Sequence, residues 1–308
     1  MSFTIALSNV LITLFYIFPG FLITKMKKAT TEHLPTLSAI LIYIGTPFLE
    51  ISSFMSFSFT WQGFLNMGIF FALTFVLQLL FIFIFVAILH KRFRDSKYRM
   101  LTIASVMGNV GFFGLPIVRA LFPDNPEVAA YSAIFAVSMN ILVFTVGIYC
   151  LTGDRKFISL KSAFFNPNVF GLVLALPIYI FGLKAFMPSV LVRAIQIIGD
   201  MTTPLCMFIL GIRLASTPLK RIFAIPAVYI VALIKLIVYP LFSYALVYFL
   251  PIDPMIKASI LVLSSTPCAA VILSLAEIHR SNSEFAANSI LITTLMCFLT
   301  IPALTLLL

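Results

Sequence analysis

The hydrophobic positions of this sequence form long, nearly continuous runs that are separated by short polar connections. A helix needs about 20 apolar residues to cross the hydrocarbon layer of a membrane, and almost the whole chain divides into such segments. Because the runs are apolar on all sides, they predict helices surrounded by lipid or by other helices. Ten membrane spans are predicted, at residues 2–24, 34–54, 61–89, 99–121, 127–151, 166–184, 188–214, 222–249, 254–278 and 284–308.

Two of the predicted spans contain residues that interrupt a helix. Three glycines and a proline fall within the nine residues from Gly108 to Pro116, in the fourth span. Glycine loosens the backbone and proline lacks an amide donor, so we expect the helix to break there. The ninth span has a second interruption, from Ser264 to Cys268. A broken helix is tolerated inside a membrane only where its freed backbone groups face protein or water, so the two breaks predict a polar cavity at mid-depth.

The two halves of the chain repeat each other at a constant offset of 157 residues. Thr46-Pro47 matches Thr203-Pro204, and the segment from Glu127 to Ser132 matches that from Glu284 to Ser289. A constant offset across several spans indicates a duplication. Since each copy has five spans, the second copy enters the membrane in the opposite orientation. The predicted fold is an all-α polytopic membrane protein with a 5+5 inverted repeat, divided into residues 1–151, a cytoplasmic linker 152–165, and residues 166–308.

Composition and charge place this protein in a membrane. Of its 308 residues, 62% are hydrophobic and 10% are charged, which excludes a soluble domain. The loops after odd-numbered spans carry fifteen Lys and Arg, and the opposite loops carry four. Because basic loops stay in the cytoplasm, this bias predicts a multi-pass protein of the cell inner (plasma) membrane with both termini extracytoplasmic. The same loops explain the net charge of +10, so we expect the lipid bilayer and not nucleic acid as partner.

No motif in the sequence points to an enzyme or a bound cofactor. Four cysteines lie within apolar spans without the spacing of a metal site, at Cys150, Cys206, Cys268 and Cys297. There is no Ser-His-Asp order and no phosphate-binding loop. We therefore expect no catalytic activity, no metal and no cofactor.

The motif Gly108-Asn109-x-Gly111-Phe112-x-Gly114-x-Pro116, with Thr266-Pro267 in the ninth span, resembles the auxin efflux carrier family. This family includes bacterial malate and malonate permeases and the plant PIN-formed auxin carriers. The resemblance implies a fold like that of bile-acid symporters and sodium/proton antiporters. Spans 1, 2, 6 and 7 would form a scaffold, and spans 3–5 and 8–10 a mobile transport core in which the broken helices cross. It also implies organic anions as substrates, coupling to protons, an elevator mechanism and a homodimer.

The residues expected to bind substrate lie at the two breaks or carry a polar side chain at mid-depth. The half-helix ends would attract a carboxylate through their amides and a cation through their carbonyls. The predicted substrate-binding residues are Gly108, Asn109, Gly111, Ser265, Thr266, Pro267, Asn140 and Gln78. The alternative is that the breaks only allow close helix packing and that the polar side chains repair the backbone.

Three ionisable residues are candidates for ion or proton coupling: Lys235, Asp200 and Glu50. Lys235 lies near the centre of the eighth span, and a charge inside a membrane is by default a functional candidate. The alternative is a structural ion pair between Lys235 and either Asp200 or Glu50. The position of Glu50 towards the end of the second span favours the membrane interface.

The sequence as a whole predicts a secondary active transporter (permease) of small organic anions, such as mono- and dicarboxylates, with proton coupling. One alternative is a sodium-coupled carrier of organic acids or sterol-like anions on the same fold. A further alternative is a channel or a membrane receptor. Saturation and counterflow distinguish a carrier from a pore.

Overall fold

Helices make up most of the chain, as the long apolar runs predict. The structure, a computed structural model, describes residues 2–308, with the side chains of Ser2, Arg155, Leu160, Leu219 and Arg221 left undescribed. The principal helices are α1 (Phe3–Lys25), α2 (Thr31–Phe54), α3 (Trp61–Arg92), α4 (Ser96–Ala104), α5 (Val110–Leu121), α6 (Val128–Thr152), α7 (Pro167–Ile180), α8 (Ser189–Ser216), α9 (Pro226–Tyr248), α10 (Pro254–Ser264), α11 (Ala270–Ile278) and α12 (Ser283–Leu307).

Seven of these helices are long and apolar enough to cross a membrane: α1, α2, α3, α6, α8, α9 and α12. The prediction of an all-α polytopic membrane protein is therefore confirmed. Helix α7 is shorter than the predicted sixth span, 166–184, because it ends at Ile180 and the chain turns at Gly182. Gly182 has a φ of +60°, a left-handed conformation that ends a helix and favours glycine.

The fourth and ninth predicted spans are each divided into two shorter helices. The second break lies at the expected residues, whereas the first lies at 105–109, so that only Gly108 and Asn109 of the Gly108–Pro116 motif are outside the helices. Helix α4 ends at Ala104 and α5 begins at Val110, while α10 ends at Ser264 and α11 begins at Ala270. The first turn of α5, Val110–Gly114, is a wide π-helical turn. The amides of Phe113 and Gly114 both donate to the carbonyl of Asn109, at 3.1 Å each.

Helices α1, α2, α7 and α8 pack against one another, with α1 on α8, and α2 on both α7 and α8. Glycines bring the first pair into backbone contact. A Cβ on Gly20 would lie 2.2 Å from the carbonyl oxygen of Phe208, and one on Gly211 would lie 2.1 Å from that of Ile17. Small residues at such contacts are a common way of packing helices within a membrane.

The remaining helices pack mainly among themselves. Helix α3 packs on α6, α9 contacts α10 and α12, and α10 contacts α6. Helix α1 reaches across to α5 and α12, and α2 reaches across to α6. The broken segments between α4 and α5, and between α10 and α11, therefore lie inside the molecule, beside the group formed by α1, α2, α7 and α8.

Candidate functional site

The two breaks meet as a short antiparallel backbone pair. The amide of Asn109 donates to the carbonyl of Pro267 at 2.7 Å, and the amide of Ala269 donates to the carbonyl of Met107 at 3.0 Å. Between these bonds, Gly108 lies opposite Cys268. Each break thus satisfies part of the hydrogen-bonding capacity that the other one frees, which is what buried backbone requires.

A cavity of about 320 Å³ lies beside this crossing. Its wall includes Gly108, Asn109 and Gly111 from the first break, Asn140 from α6, and Glu50 from α2. A volume of this size suits a small molecule. Further polar residues in the wall, which the sequence-based prediction did not include, are Ser38, Thr46, Ser53, Ser132, Asn166, Asn168 and Ser274.

Hydroxyl groups from two neighbouring helices hold the wide turn of α5 in place. Ser132 of α6 donates to the carbonyl of Val110 at 2.7 Å, and Thr203 of α8 donates to that of Phe112 at 2.8 Å. The amide nitrogen of Asn109 lies 3.7 Å from the sulfur of Cys206. Ser132 and Thr203 both belong to the segments that repeat at the 157-residue offset. The repeat could therefore have identified them as candidate residues of the site.

The hydroxyls of the second break point back to their own helix. Ser265 donates to the carbonyl of Val262 and Thr266 to that of Leu263, both at 2.7 Å. Neither residue, nor Pro267, is among the described residues that line the cavity. These hydroxyls repair the end of α10, as the packing alternative expects. The contact of this break with a substrate stays a prediction.

Lys235 is completely buried behind the crossing. Its amine donates to the carbonyl of Ser264, at the end of α10, and lies 5.1 Å from the centre of the Tyr239 ring. A Cβ on Gly108 would lie 3.1 Å from this amine. The amine therefore lies at the carbonyl end of α10, where the helix dipole is negative, and next to the first break.

The alternative ion pair of Lys235 with Asp200 or Glu50 is not formed among the described residues. Asp200 lies 3.8 Å from Arg119 instead, with its side chain 67% exposed. Glu50 is 2% exposed, so its side chain lies inside the protein, and its depth in the membrane stays a prediction. Its carboxylate fits against Gly171 of α7, where a Cβ would lie 2.6 Å from Oε2.

Glu50 Oε2 makes no hydrogen bond to the described residues. It is also the only acidic side chain in the described wall of the cavity. A buried carboxyl with an unsatisfied oxygen is costly in its charged form and is a frequent mark of a functional group.

Two other predicted substrate residues differ in their surroundings. Asn140 lines the cavity and donates to the carbonyl of Ala136 at 2.9 Å. Gln78 is fully buried between α3 and α6 and donates to the hydroxyl of Ser138 at 3.1 Å. The structure therefore separates Gln78 from the cavity that Asn140 and Asn109 share.

This fold is that of a multi-pass membrane protein with an internal cavity large enough for a small molecule. The profile of a family described as membrane transport protein matches residues 154–305. An uncharacterized transporter of Methanocaldococcus jannaschii is 30% identical over 306 residues, which cover 96% of this chain and 97% of that protein. The chain belongs to this family of membrane transport proteins, the auxin efflux carrier family that its Gly108–Pro116 motif resembles. The family indicates transport rather than catalysis.

Proposed function

We propose that the protein is a secondary active transporter of small organic anions, such as mono- and dicarboxylates, that couples their movement to protons. The observation that carries this proposal is the crossing of two broken helices in the wall of a cavity that is largely apolar and carries a few polar side chains. Discontinuous helices at equivalent positions of two repeats are a recurring way to build a transporter's binding site.

The cavity favours an anion although no Lys or Arg lies in its described wall. Two helices begin in that wall without a side-chain cap, α5 at Val110 and α11 at Ala270. A third helix, α7, also begins there, but the side chain of Asn166 already accepts from its first free amides. The start of a helix carries partial positive charge and binds carboxylates and phosphates. The side-chain amides of Asn109, Asn140 and Asn168 add neutral donors beside these helix ends.

Glu50 is the group that we propose to carry the proton. A substrate carboxylate and an ionised Glu50 in the same largely apolar cavity would repel each other strongly. If the anion binds together with a proton on Glu50, this repulsion is avoided, so the two move together. Lys235 is proposed to strengthen the positive potential at the crossing from behind Gly108.

The cavity reaches the helix ends that adjoin the basic loops. It is lined by Ser38 in the first half of α2, by Asn166 at the start of α7, and by Ile278 at the end of α11. If these loops are cytoplasmic, the structure is the inward-facing state. Helices α3–α6 and α9–α12 would then move as one body past α1, α2, α7 and α8, in an elevator-type alternation of access.

Counterflow in reconstituted vesicles tests the proposal. Vesicles loaded with an unlabelled carboxylate are expected to accumulate the labelled one transiently, with saturation and with dependence on an imposed pH gradient. A protonophore is expected to abolish the uptake that the pH gradient drives, and replacement of sodium is expected to leave that uptake unchanged. The opposite pair of results would establish the sodium-coupled alternative, and flux that is linear with concentration and lacks counterflow would establish a pore.

Asn109→Ala removes the cavity's amide donor at the crossing and is expected to abolish counterflow while the protein remains folded in the membrane. Asn125→Ala, in the loop between α5 and α6, is the matched control and should transport normally. Normal counterflow in the Asn109→Ala protein would contradict the assignment of the site.

A further inference from the structure

A second cavity, of about 250 Å³, lies between α1, α2, α5 and α8. Leu49 and Leu115 line both this cavity and the larger one. With Ala129 and Phe112 they form a small apolar cluster that is separate from the main core. Two cavities are thus divided by a barrier, the Leu49–Leu115 barrier, that is about one layer of side chains thick.

Arg119 of α5 lies at this barrier and lines the second cavity. Its Nη1 is 3.8 Å from Asp200 Oδ1, which is too long for a hydrogen bond. Its Nη2 donates to the hydroxyl of Ser53 at 3.4 Å, and Ser53 lines the larger cavity. A guanidinium has five N–H donors, so most of its capacity is not used by these two weak contacts with described residues.

The second cavity has the chemistry that a carboxylate requires. The planar fork of an arginine matches the two oxygens of a carboxylate in a bidentate pair. Asn9, Tyr16 and Thr203 place further polar side chains in the same wall. Asp200 is mostly exposed and only loosely held by Arg119. An incoming anion can therefore replace the Asp200 carboxylate beside the guanidinium. An exposed ion pair of this length contributes little to stability, so a structural role explains the arrangement poorly.

We infer that Arg119 forms a second carboxylate-binding site, in which the small organic anion rests on the far side of the Leu49–Leu115 barrier. Asp200 is the competing partner that the anion displaces. Arg119 lies in the last turn of α5, before a connection without Lys or Arg, so this site faces the side opposite the basic loops. The inference rests on the proposed function, because it assigns a second position to the same transported anion.

Transport measured separately from each membrane face tests the inference. In Arg119→Gln, the KM for the carboxylate arriving at the face of the second cavity is expected to rise about tenfold or more, as loss of a charged bidentate partner predicts. The KM from the other face should change by less than about twofold, since the larger cavity is intact. Arg119→Lys, which keeps the charge and loses the fork, should fall between the wild type and Arg119→Gln.

Asp200→Asn is expected to change the KM in the direction opposite to Arg119→Gln. Removal of the competing carboxylate is expected to lower the KM at the face of the second cavity, whereas the loss of a structural ion pair would lower the melting temperature and reduce transport from both faces. Arg193→Gln is the matched control, because Arg193 lies exposed on α8 outside the described walls of both cavities.

The failure of this inference is distinguishable from failure of the proposed function. If the wild-type protein exchanges no carboxylate, the proposed function fails and the second site with it. If the wild type exchanges carboxylates but Arg119→Gln leaves both KM values unchanged, or Asp200→Asn raises the KM, the second site alone is overturned.

Discussion

The substitution Gly108→Ala asks whether the two broken helices must touch. Gly108 lies opposite Cys268 in the short antiparallel pair of the crossing. An added Cβ would lie 2.6 Å from Thr266 Oγ1 and 3.1 Å from the amine of Lys235. The methyl group would therefore be inserted between the first break, the second break and the buried lysine.

The size of the effect follows from these distances. Carbon and oxygen atoms approach each other to about 3.3 Å, so the contact with Thr266 is too short by roughly 0.7 Å. Thr266 cannot rotate away without losing its 2.7 Å bond to the carbonyl of Leu263, and Lys235 cannot withdraw without leaving that of Ser264. Overpacking of this kind typically lowers the free energy of unfolding by about 1–3 kcal/mol. We expect that loss, together with reduced transport as the Asn109–Pro267 bond opens.

Thermal unfolding of the purified protein, measured beside counterflow, is the assay. Gly68→Ala is the matched control, because a Cβ at Gly68 of α3 would meet no atom within 4 Å. In the double variant Gly108→Ala/Thr266→Ala the worst contact is removed, so the two losses in stability should not add. The reasoning is refuted if Gly108→Ala unfolds and transports like Gly68→Ala, or if the double variant loses the full sum of the two single losses.

Two further predictions concern the buried ionisable groups. Glu50→Gln, which mimics the protonated carboxyl, should retain carboxylate exchange, but the exchange should no longer depend on the pH gradient. Glu32→Gln, in the exposed first turn of α2, is the control and should keep this dependence. Accumulation driven by the pH gradient in Glu50→Gln would reject Glu50 as the proton carrier. Lys235→Met leaves the carbonyl of Ser264 buried without its donor and should lower stability by about 1–3 kcal/mol. Lys257→Met removes an amine from the carbonyl of Tyr248 at an exposed position, where water can replace it, so unfolding measurements should show a much smaller loss. Equal losses in the two variants would contradict this reading of Lys235.

The features that depend on local chemistry were predictable from the sequence. Glycine and proline limit where a helix can continue, so a break was predictable in both the fourth and the ninth span. The second break lies where the sequence placed it, whereas the first lies a few residues earlier, because Gly111, Gly114 and Pro116 fit into the wide first turns of α5. The length of the apolar runs likewise predicted an all-α membrane protein. The early end of α7 was also encoded locally, in Gly182, although the apolar run continues past it.

The features that depend on distant partners were not predictable. Glu50 is buried because Gly171, more than a hundred positions away, leaves room for its carboxylate. Asp200 faces Arg119 and not Lys235, because α5 and α8 come together along the second cavity. The hydroxyls of Ser265 and Thr266 could either face a substrate or bond to their own helix, and the structure shows the second arrangement. These contacts depend on how the helices pack together, which cannot be read from the residues of a single span.

The helix starts around the larger cavity have a consequence for how this family could change its cargo. An electric field that arises from peptide groups cannot be deleted by exchanging a side chain, whereas the shape of the wall can. If the cargo is an anion, as we propose, substitutions at positions such as Ile42, Met139 or Phe144 would change which anion fits while the attraction for negative charge persists. Since no fixed cation lies in the described wall, such a site would hold its anion loosely enough for a carrier to release it.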